Sequence, residues 1–244
     1  MMAAMRCRAL CHATVLAAAL VLIGCGDDAE PEGEPLPPDA GTIIGAASAA
    51  MGAVTSVRFE LERSGAPVFI DTYESLALDK VVGRFSAPSS ADAALTVTVD
   101  GDLKTQLGAV AINGVVWLSN PVTGKFEALP PGYDLDPSTF FDPEDGWRPL
   151  LAELRDVELV GEEDRGGGTR YHVRGVATAE RVERITAGLV RDQEVLIDLW
   201  LRRDTGLVVA AEFSTELGGR VSDRTLGLSD YGESFDIEAP DVDG

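Results

Sequence analysis

Residues 194–202 read EVLIDLWLR and residues 207–214 read LVVAAEFS, with the polar turn Arg203 to Gly206 between them. In the first run Val195, Ile197, Leu199 and Leu201 fall on one side and Asp198 and Arg202 on the other. In the second, Leu207, Val209, Ala211 and Phe213 oppose Glu212. Alternation with a period of two is the pattern of a strand with one dry face and one wet face. Two such strands joined by a short turn make an antiparallel hairpin.

The pattern spreads in both directions. Arg220 to Asp230 continues this last meander, and Val157 to Glu162 with Tyr171 to Val176 precedes it across the loop Asp164 to Gly168. In Ser56 to Glu62, Val57, Phe59 and Leu61 alternate with Arg58, Glu60 and Glu62. Further β-rich runs are expected at Val68 to Leu78, Val81 to Ala87, Ala93 to Val99, Leu103 to Ile112 and Val115 to Ser119. Their connections carry Ser64-Gly65, Pro88-Ser89-Ser90, Asp100-Gly101 and Asn113-Gly114, the last being the strongest hairpin turn.

Helices are few. Ile43, Ile44, Ala47, Ala50, Met51 and Val54 recur at helical spacing over Thr42 to Val54, with Asp39 or Thr42 as the cap. Between Asn120 and Glu153 six prolines cut the chain into short pieces. Asp136-Pro137 and Asp142-Pro143 predict a turn at Ser138 to Phe141 and a helix from Glu144 or Trp147 to Leu154. Thr178 caps a third helix running to about Leu189. The expected fold is α+β: one large curved antiparallel sheet packed over a few helices. So few helices cannot cover so long an apolar face closely, so a hydrophobic cavity between the layers is expected.

Strand alternation selects Phe59, Leu61, Leu95, Val97, Leu118, Ile197, Leu199, Leu207 and Val209 as cavity walls. The aromatic residues Trp117, Phe126, Tyr133, Phe140, Phe141 and Trp147 gather around the proline-rich middle. Their simplest role is packing under the helices. The sharper reading makes Trp117, Phe126, Tyr133, Phe141 and Trp147 a gate at the cavity mouth, because proline-punctuated loops shift without unfolding the sheet.

The first 25 residues address the chain. Arg6 and Arg8 precede the eleven-residue apolar run Ala13 to Ile23, which ends in Leu22-Ile23-Gly24-Cys25. A positive start and a short apolar run make a signal peptide over residues 1–24, and the run is well short of the roughly 20 residues of a membrane-spanning helix. Leu-Ile-Gly-Cys resembles a lipobox, in which the thiol receives diacylglycerol and the chain is cut before it, so Cys25 is the expected lipid-attachment site and mature N-terminus. Cys7 and Cys11 leave with the signal, and no intramolecular disulfide remains possible. Residues 25–40 form an acidic, proline-rich tether, and the folded domain spans 41–240. The chain is expected to be exported and lipid-anchored to the cell envelope, on the outer face of the plasma membrane or the periplasmic side of a bacterial membrane.

The whole chain has 41 acidic and 20 basic residues among 244, a net charge of −21. Such a surface repels nucleic acid, whose binding needs clustered Lys and Arg, and repels anionic headgroups, so membrane attachment falls to the acyl anchor. A hydrolase would have to use His172, the one histidine of the mature chain, yet no Gly-x-Ser-x-Gly elbow exists and His172 lies in an alternating strand, where an outward polar side chain is expected. Zinc or haem would need more His or Cys. Glu162-Glu163-Asp164 reads as a solvated charge run, and Gly166-Gly167-Gly168 joins two strands and lacks the Lys-Ser/Thr of a phosphate loop.

Five segments carry a family likeness: WLSNPVTGKF (117–126), LPPGY (129–133), FDP (141–143), DVELVG (156–161) and YHVRG (171–175). Together with the lipobox they resemble the LppX/LprAFG lipoproteins over Asp39 to Pro240. The resemblance implies a half-barrel sheet enclosing a large hydrophobic cavity, similar to the periplasmic carriers of the LolA/LolB type. It implies binding of multi-acyl lipids or glycolipids and their transfer between membrane layers or to an envelope transporter, by a monomer, without catalysis or cofactor. The alternative is an envelope scaffold or protein-binding lipoprotein of the same fold with a filled core.

Overall fold

The first helix, α1 (Ala40–Met51), is set by its cap and its stripe. The Asp39 carboxylate accepts the Thr42 amide at 3.0 Å and the Thr42 hydroxyl at 2.6 Å, and both bonds lower its pKa. Ile43, Ile44, Ala47 and Met51 are buried along one face. The computed structural model describes residues 38–242 except Thr72, residues 130–136, Ala187 and Leu189. Cys25, the expected signal peptide, nearly all of the tether, and Tyr133 lie outside the described residues.

Eleven strands follow: β1 (Ser56–Gly65), β2 (Leu76–Ser86), β3 (Ser90–Val99), β4 (Leu103–Ile112), β5 (Val115–Ser119), β6 (Phe126–Ala128), β7 (Arg155–Asp164), β8 (Thr169–Ala177), β9 (Val195–Arg202), β10 (Val208–Leu217) and β11 (Arg220–Ser229). They form one antiparallel sheet in the order β6-β5-β4-β3-β2-β1-β11-β10-β9-β8-β7. The chain starts in the middle of the sheet, steps outward to β6, crosses to the opposite edge, and steps back until β11 pairs with β1. β6 and β7 are the two edges, so the sheet is open. The crossover carries a 3-10 turn (Pro137–Phe141) and α2 (Trp147–Ala152), and α3 (Ala179–Ile185) joins β8 to β9. Among the described residues, this single antiparallel sheet with three α-helices is the expected architecture.

Local departures have local causes. The expected run Val68 to Leu78 is not one strand. The Asp71 carboxylate accepts the amides of Ser75 (3.0 Å) and Leu76 (2.7 Å) and the Ser75 hydroxyl (2.7 Å), which folds the segment back so that Leu78 donates to the Val68 carbonyl. β2 therefore begins at Leu76 and absorbs the run expected separately at Val81 to Ala87. The third helix ends at Ile185, because the Thr186 hydroxyl turns back to the Val182 carbonyl (2.7 Å) and receives the Val190 amide (3.1 Å). The short edge strand β6, absent from the sequence reading, is returned onto β5 by a turn in which the Asn120 side chain accepts the amides of Val122 and Thr123. Asn113 and Gly114 both have positive φ, 51° and 78°, as a tight hairpin turn requires.

The helices pack on one face of the sheet. Ile43, Ala47 and Met51 of α1, Trp147, Leu150 and Leu151 of α2, and Val182 and Ile185 of α3 join Val57, Val173, Leu199, Leu201, Val208 and Ala211 in the core.

Candidate functional site

A cavity of about 210 Å³ lies between the sheet and the helices. Its sheet wall is built by the inward phase of successive strands: Phe59 and Leu61 on β1, Val81 on β2, Ala93 and Leu95 on β3, Ala109 on β4, Val116 and Leu118 on β5, Ile197 on β9, and Leu226 and Leu228 on β11. Phe140 and Phe141 of the 3-10 turn, Trp147 and Leu150 of α2, and Val182 and Ile185 of α3 form the opposite wall. Phe141 stacks on Phe85 with ring centroids 4.5 Å apart, which ties the crossover to β2. Gly83 leaves room for the Phe59 ring, since a Cβ there would lie 2.4 Å from it.

Of the residues selected by alternation, Phe59, Leu61, Leu95, Leu118 and Ile197 line this cavity, and Val97, Leu199, Leu207 and Val209 do not. Leu199 and Val97 are fully buried elsewhere, Leu199 in the core. The β9–β10 turn packs against α1, where a Cβ on Gly206 would lie 3.2 Å from the Ala46 backbone, so Leu207 packs on the core beneath that helix. Val209 is the extra residue of a bulge: Val208 pairs with Leu201 and Ala210 with Trp200. The bulge shifts the phase, and Val208 becomes the buried residue. The Tyr231 hydroxyl donates to the Val208 carbonyl at this irregularity.

Among the expected mouth residues, Phe141 and Trp147 line the cavity. Trp117 alternates with Val116 and Leu118 and falls on the opposite side of β5. The Phe126 ring lies instead against Gly108, where a Cβ would meet it at 2.8 Å. The indole N–H of Trp147 is buried without a partner among the described residues.

One end of the cavity is polar, which the sequence reading missed. Arg63, Asp79 and Arg224 are the charged members of the lining. Asp79 sits where β2 bulges between Leu78 and Lys80. It accepts from Arg63 (2.7 Å) and the Thr98 hydroxyl (2.6 Å) and lies 3.4 Å from the Lys104 ammonium. Burial raises its pKa, but those donors outweigh burial and hold it below the ordinary carboxylate value. Arg63 is engaged through all three nitrogens: it also donates to the carbonyls of Leu78 (2.6 Å), Gly65 (2.8 Å) and Ala66 (2.8 Å). Arg224, its register partner on β11, is 9% exposed. It donates to the Thr215 hydroxyl and lies 5.6 Å above the Phe213 ring. Burial first, and the Arg63 charge second, lower its pKa. Its Nη2 and the Ser222 hydroxyl are buried without partners among the described residues. An orphaned buried donor costs about 1–3 kcal/mol. The signal was present in the sequence: the inward phases Phe59, Leu61, Arg63 and Leu228, Leu226, Arg224 each end on arginine.

His172 lies on β8 in phase opposite to the core residues Tyr171 and Val173, on the outward side as expected, and is nonetheless buried there. It is 7% exposed, stacked on Trp200 at 4.5 Å, with Nδ1 2.8 Å from Glu163 and Nε2 2.6 Å from Asp198. Trp200 donates to Glu163 at 2.9 Å and carries the Arg165 guanidinium 3.7 Å above its ring. Both imidazole nitrogens face carboxylates, and neither is directed at a hydroxyl or thiol among the described residues, so the arrangement braces the sheet and lacks the nucleophile of a Ser-His relay.

Comparison with known proteins fits this geometry. The lipoarabinomannan carrier protein LprG of Mycobacterium tuberculosis is 25% identical over 233 residues, covering 94% of each chain. The protein of the same name from Mycolicibacterium smegmatis is 24% identical over 240 residues, covering 93% of this chain and 94% of that one. The crystal structure of LprF from Mycobacterium bovis superposes with a TM-score of 0.65 at 16% identity, covering 84% of this chain and 97% of LprF. That of the Mycobacterium tuberculosis lipoprotein LppX superposes with a TM-score of 0.58 at 15% identity, covering 82% and 98%. The family profile described as LppX_LprAFG lipoprotein matches residues 39–237, most of the chain, and the chain belongs to that family.

Proposed function

We propose that this protein is an envelope lipid carrier: it takes acyl lipids or glycolipids into the space between sheet and helices and gives them up to a membrane or a partner, without making or breaking a bond. The observation that carries the reading is the cavity of about 210 Å³, apolar over nearly all of its wall and framed by an open sheet. The relatives named as lipoarabinomannan carriers support the ligand class.

The energetics suit a reversible carrier. An acyl methylene in water costs about 0.8 kcal/mol, so a tail of some fifteen methylenes would cost roughly 12 kcal/mol if it crossed water unprotected. Bilayer and cavity are both dry, the two transfers nearly cancel, and the carrier removes the barrier without trapping the lipid. The cavity of about 210 Å³ is smaller than the roughly 300–1,000 Å³ of drug-sized ligand sites, so a multi-acyl lipid needs the helical wall to move outward. The 3-10 turn and α2 are the elements that yield: they are short and lie on the crossover, outside the sheet's hydrogen-bond ladder. In this account Cys25 carries the diacylglyceryl anchor, and the acidic tether of residues 25–40 sets the reach of a monomeric carrier.

The test is movement of a fluorescent diacyl lipid from donor to acceptor liposomes, using the full chain with Cys25→Ser. The expected result is a transfer rate that rises linearly with protein, with the lipid recovered chemically unchanged. A rate equal to the protein-free control would overturn the carrier reading, and recovered hydrolysis products would overturn its non-catalytic part.

A further inference from the structure

We propose that the polar end of the cavity is a headgroup site: Arg224 holds an anionic oxygen group, a phosphate or carboxylate, that is covalently attached to the acyl chains lying along the apolar wall. The inference rests on the carrier reading and adds to it the chemical class of ligand. Its basis is a mismatch of charge and hydrogen bonding in a buried place. Arg63 and Arg224 line the cavity there with one carboxylate, Asp79, and Arg63, the Thr98 hydroxyl and the exposed Lys104 ammonium already occupy that carboxylate. Arg224 has no carboxylate partner among the described residues. Asp223, its neighbour in sequence, takes the Ser214 hydroxyl at 2.6 Å and lies in the opposite strand phase.

Arg224 Nη2 and Ser222 Oγ, two residues apart on β11 and so in the same phase, are both buried and both lack a protein partner among the described residues. A guanidinium edge matches the paired oxygens of a phosphate or carboxylate. The side chain is held ready by Thr215 and by the Phe213 ring, so little ordering is lost on binding. The protein as a whole carries −21, so long-range attraction cannot draw an anion in. The apolar tails must bring it, which is why the ligand is an amphiphile and not a free anion.

The experiment compares dipalmitoyl phosphatidic acid with dipalmitoylglycerol, which has the same tails and no charge, and with inorganic phosphate. Each is titrated into the full chain with Cys25→Ser and into the same chain carrying Arg224→Gln or Arg224→Lys. The expected result is about ten- to a hundredfold tighter binding of phosphatidic acid than of dipalmitoylglycerol, the range given by charge-assisted hydrogen bonds. Arg224→Gln erases that preference, with urea unfolding showing that the variant is folded. Arg224→Lys restores part of the preference. Should Arg224→Gln not fold, Arg224→Lys and the unsubstituted comparison still decide. Equal affinity for the two lipids, or a preference that survives Arg224→Gln, overturns the site. Phosphate binding as tightly as phosphatidic acid overturns the lipid source of the anion. Failure to bind either lipid overturns the carrier reading beneath it.

Discussion

Filling the cavity should stabilise the fold and abolish its use. Ala93 and Ala109 are register partners on β3 and β4, and both line the void, so the pair Ala93→Leu and Ala109→Leu grows the wall inward. At about 24 cal/mol per Å³ of void, a cavity of about 210 Å³ represents roughly 5 kcal/mol of packing forgone. Filling a third of it returns about 1.7 kcal/mol, a rise in Tm of about 3–7 °C for a domain of this size. Urea unfolding gives the stability, and native mass spectrometry after exposure to diacyl lipid gives the uptake. The double variant should be more stable and take up markedly less lipid. A variant destabilised by about 1–3 kcal/mol, the usual cost of overpacking, with lipid uptake unchanged, would refute the reasoning, because it would mean that the wall has no space in front of it and that lipid sits elsewhere.

Other consequences can be checked on the same protein. The Asp79 pKa is held below its ordinary value, so its pairing contributes stability above the unfolded carboxylate pKa of about 3.9 and loses it as pH falls through the folded value; Asp79→Asn should flatten the decline in unfolding free energy between pH 5 and pH 3. His172→Ala should cost about 1–2 kcal/mol in denaturant unfolding, because Glu163 and Asp198 lose a shared partner, and it should leave lipid transfer between liposomes at the unsubstituted rate. Tyr231→Phe strips the donor from the Val208 carbonyl at the β10 bulge and should lower stability by about 1 kcal/mol, with faster amide exchange at the start of β10.

The architecture could be read from the sequence because alternation is a local signal that recurs in every strand. Val195, Ile197, Leu199 and Leu201 all face the helices as expected. What alternation cannot encode is position along the strand: Ile197 reaches the cavity, while Leu199, two residues on, is sealed in the core. Nor does it survive a bulge. The insertion at Val209 passes the buried position to Val208, and the one between Leu78 and Lys80 sets Asp79 against Arg63. The polar end escapes alternation for a related reason: Arg63 and Arg224 continue the inward phase of their strands, but a charged residue carries no apolar signal that marks a position as inward. His172 shows the converse: its phase was read correctly, but its burial depends on Trp200, Glu163 and Asp198 from neighbouring strands, a long-range arrangement with no trace in local sequence.

Native mass spectrometry of the full chain with Cys25→Ser, mixed with diacyl lipid and passed through size exclusion, tests the central claim most directly. The account predicts a discrete added mass of one lipid on the folded monomer, reduced in the Ala93→Leu, Ala109→Leu variant. A bare polypeptide mass at every lipid concentration, with the fold intact, would contradict it.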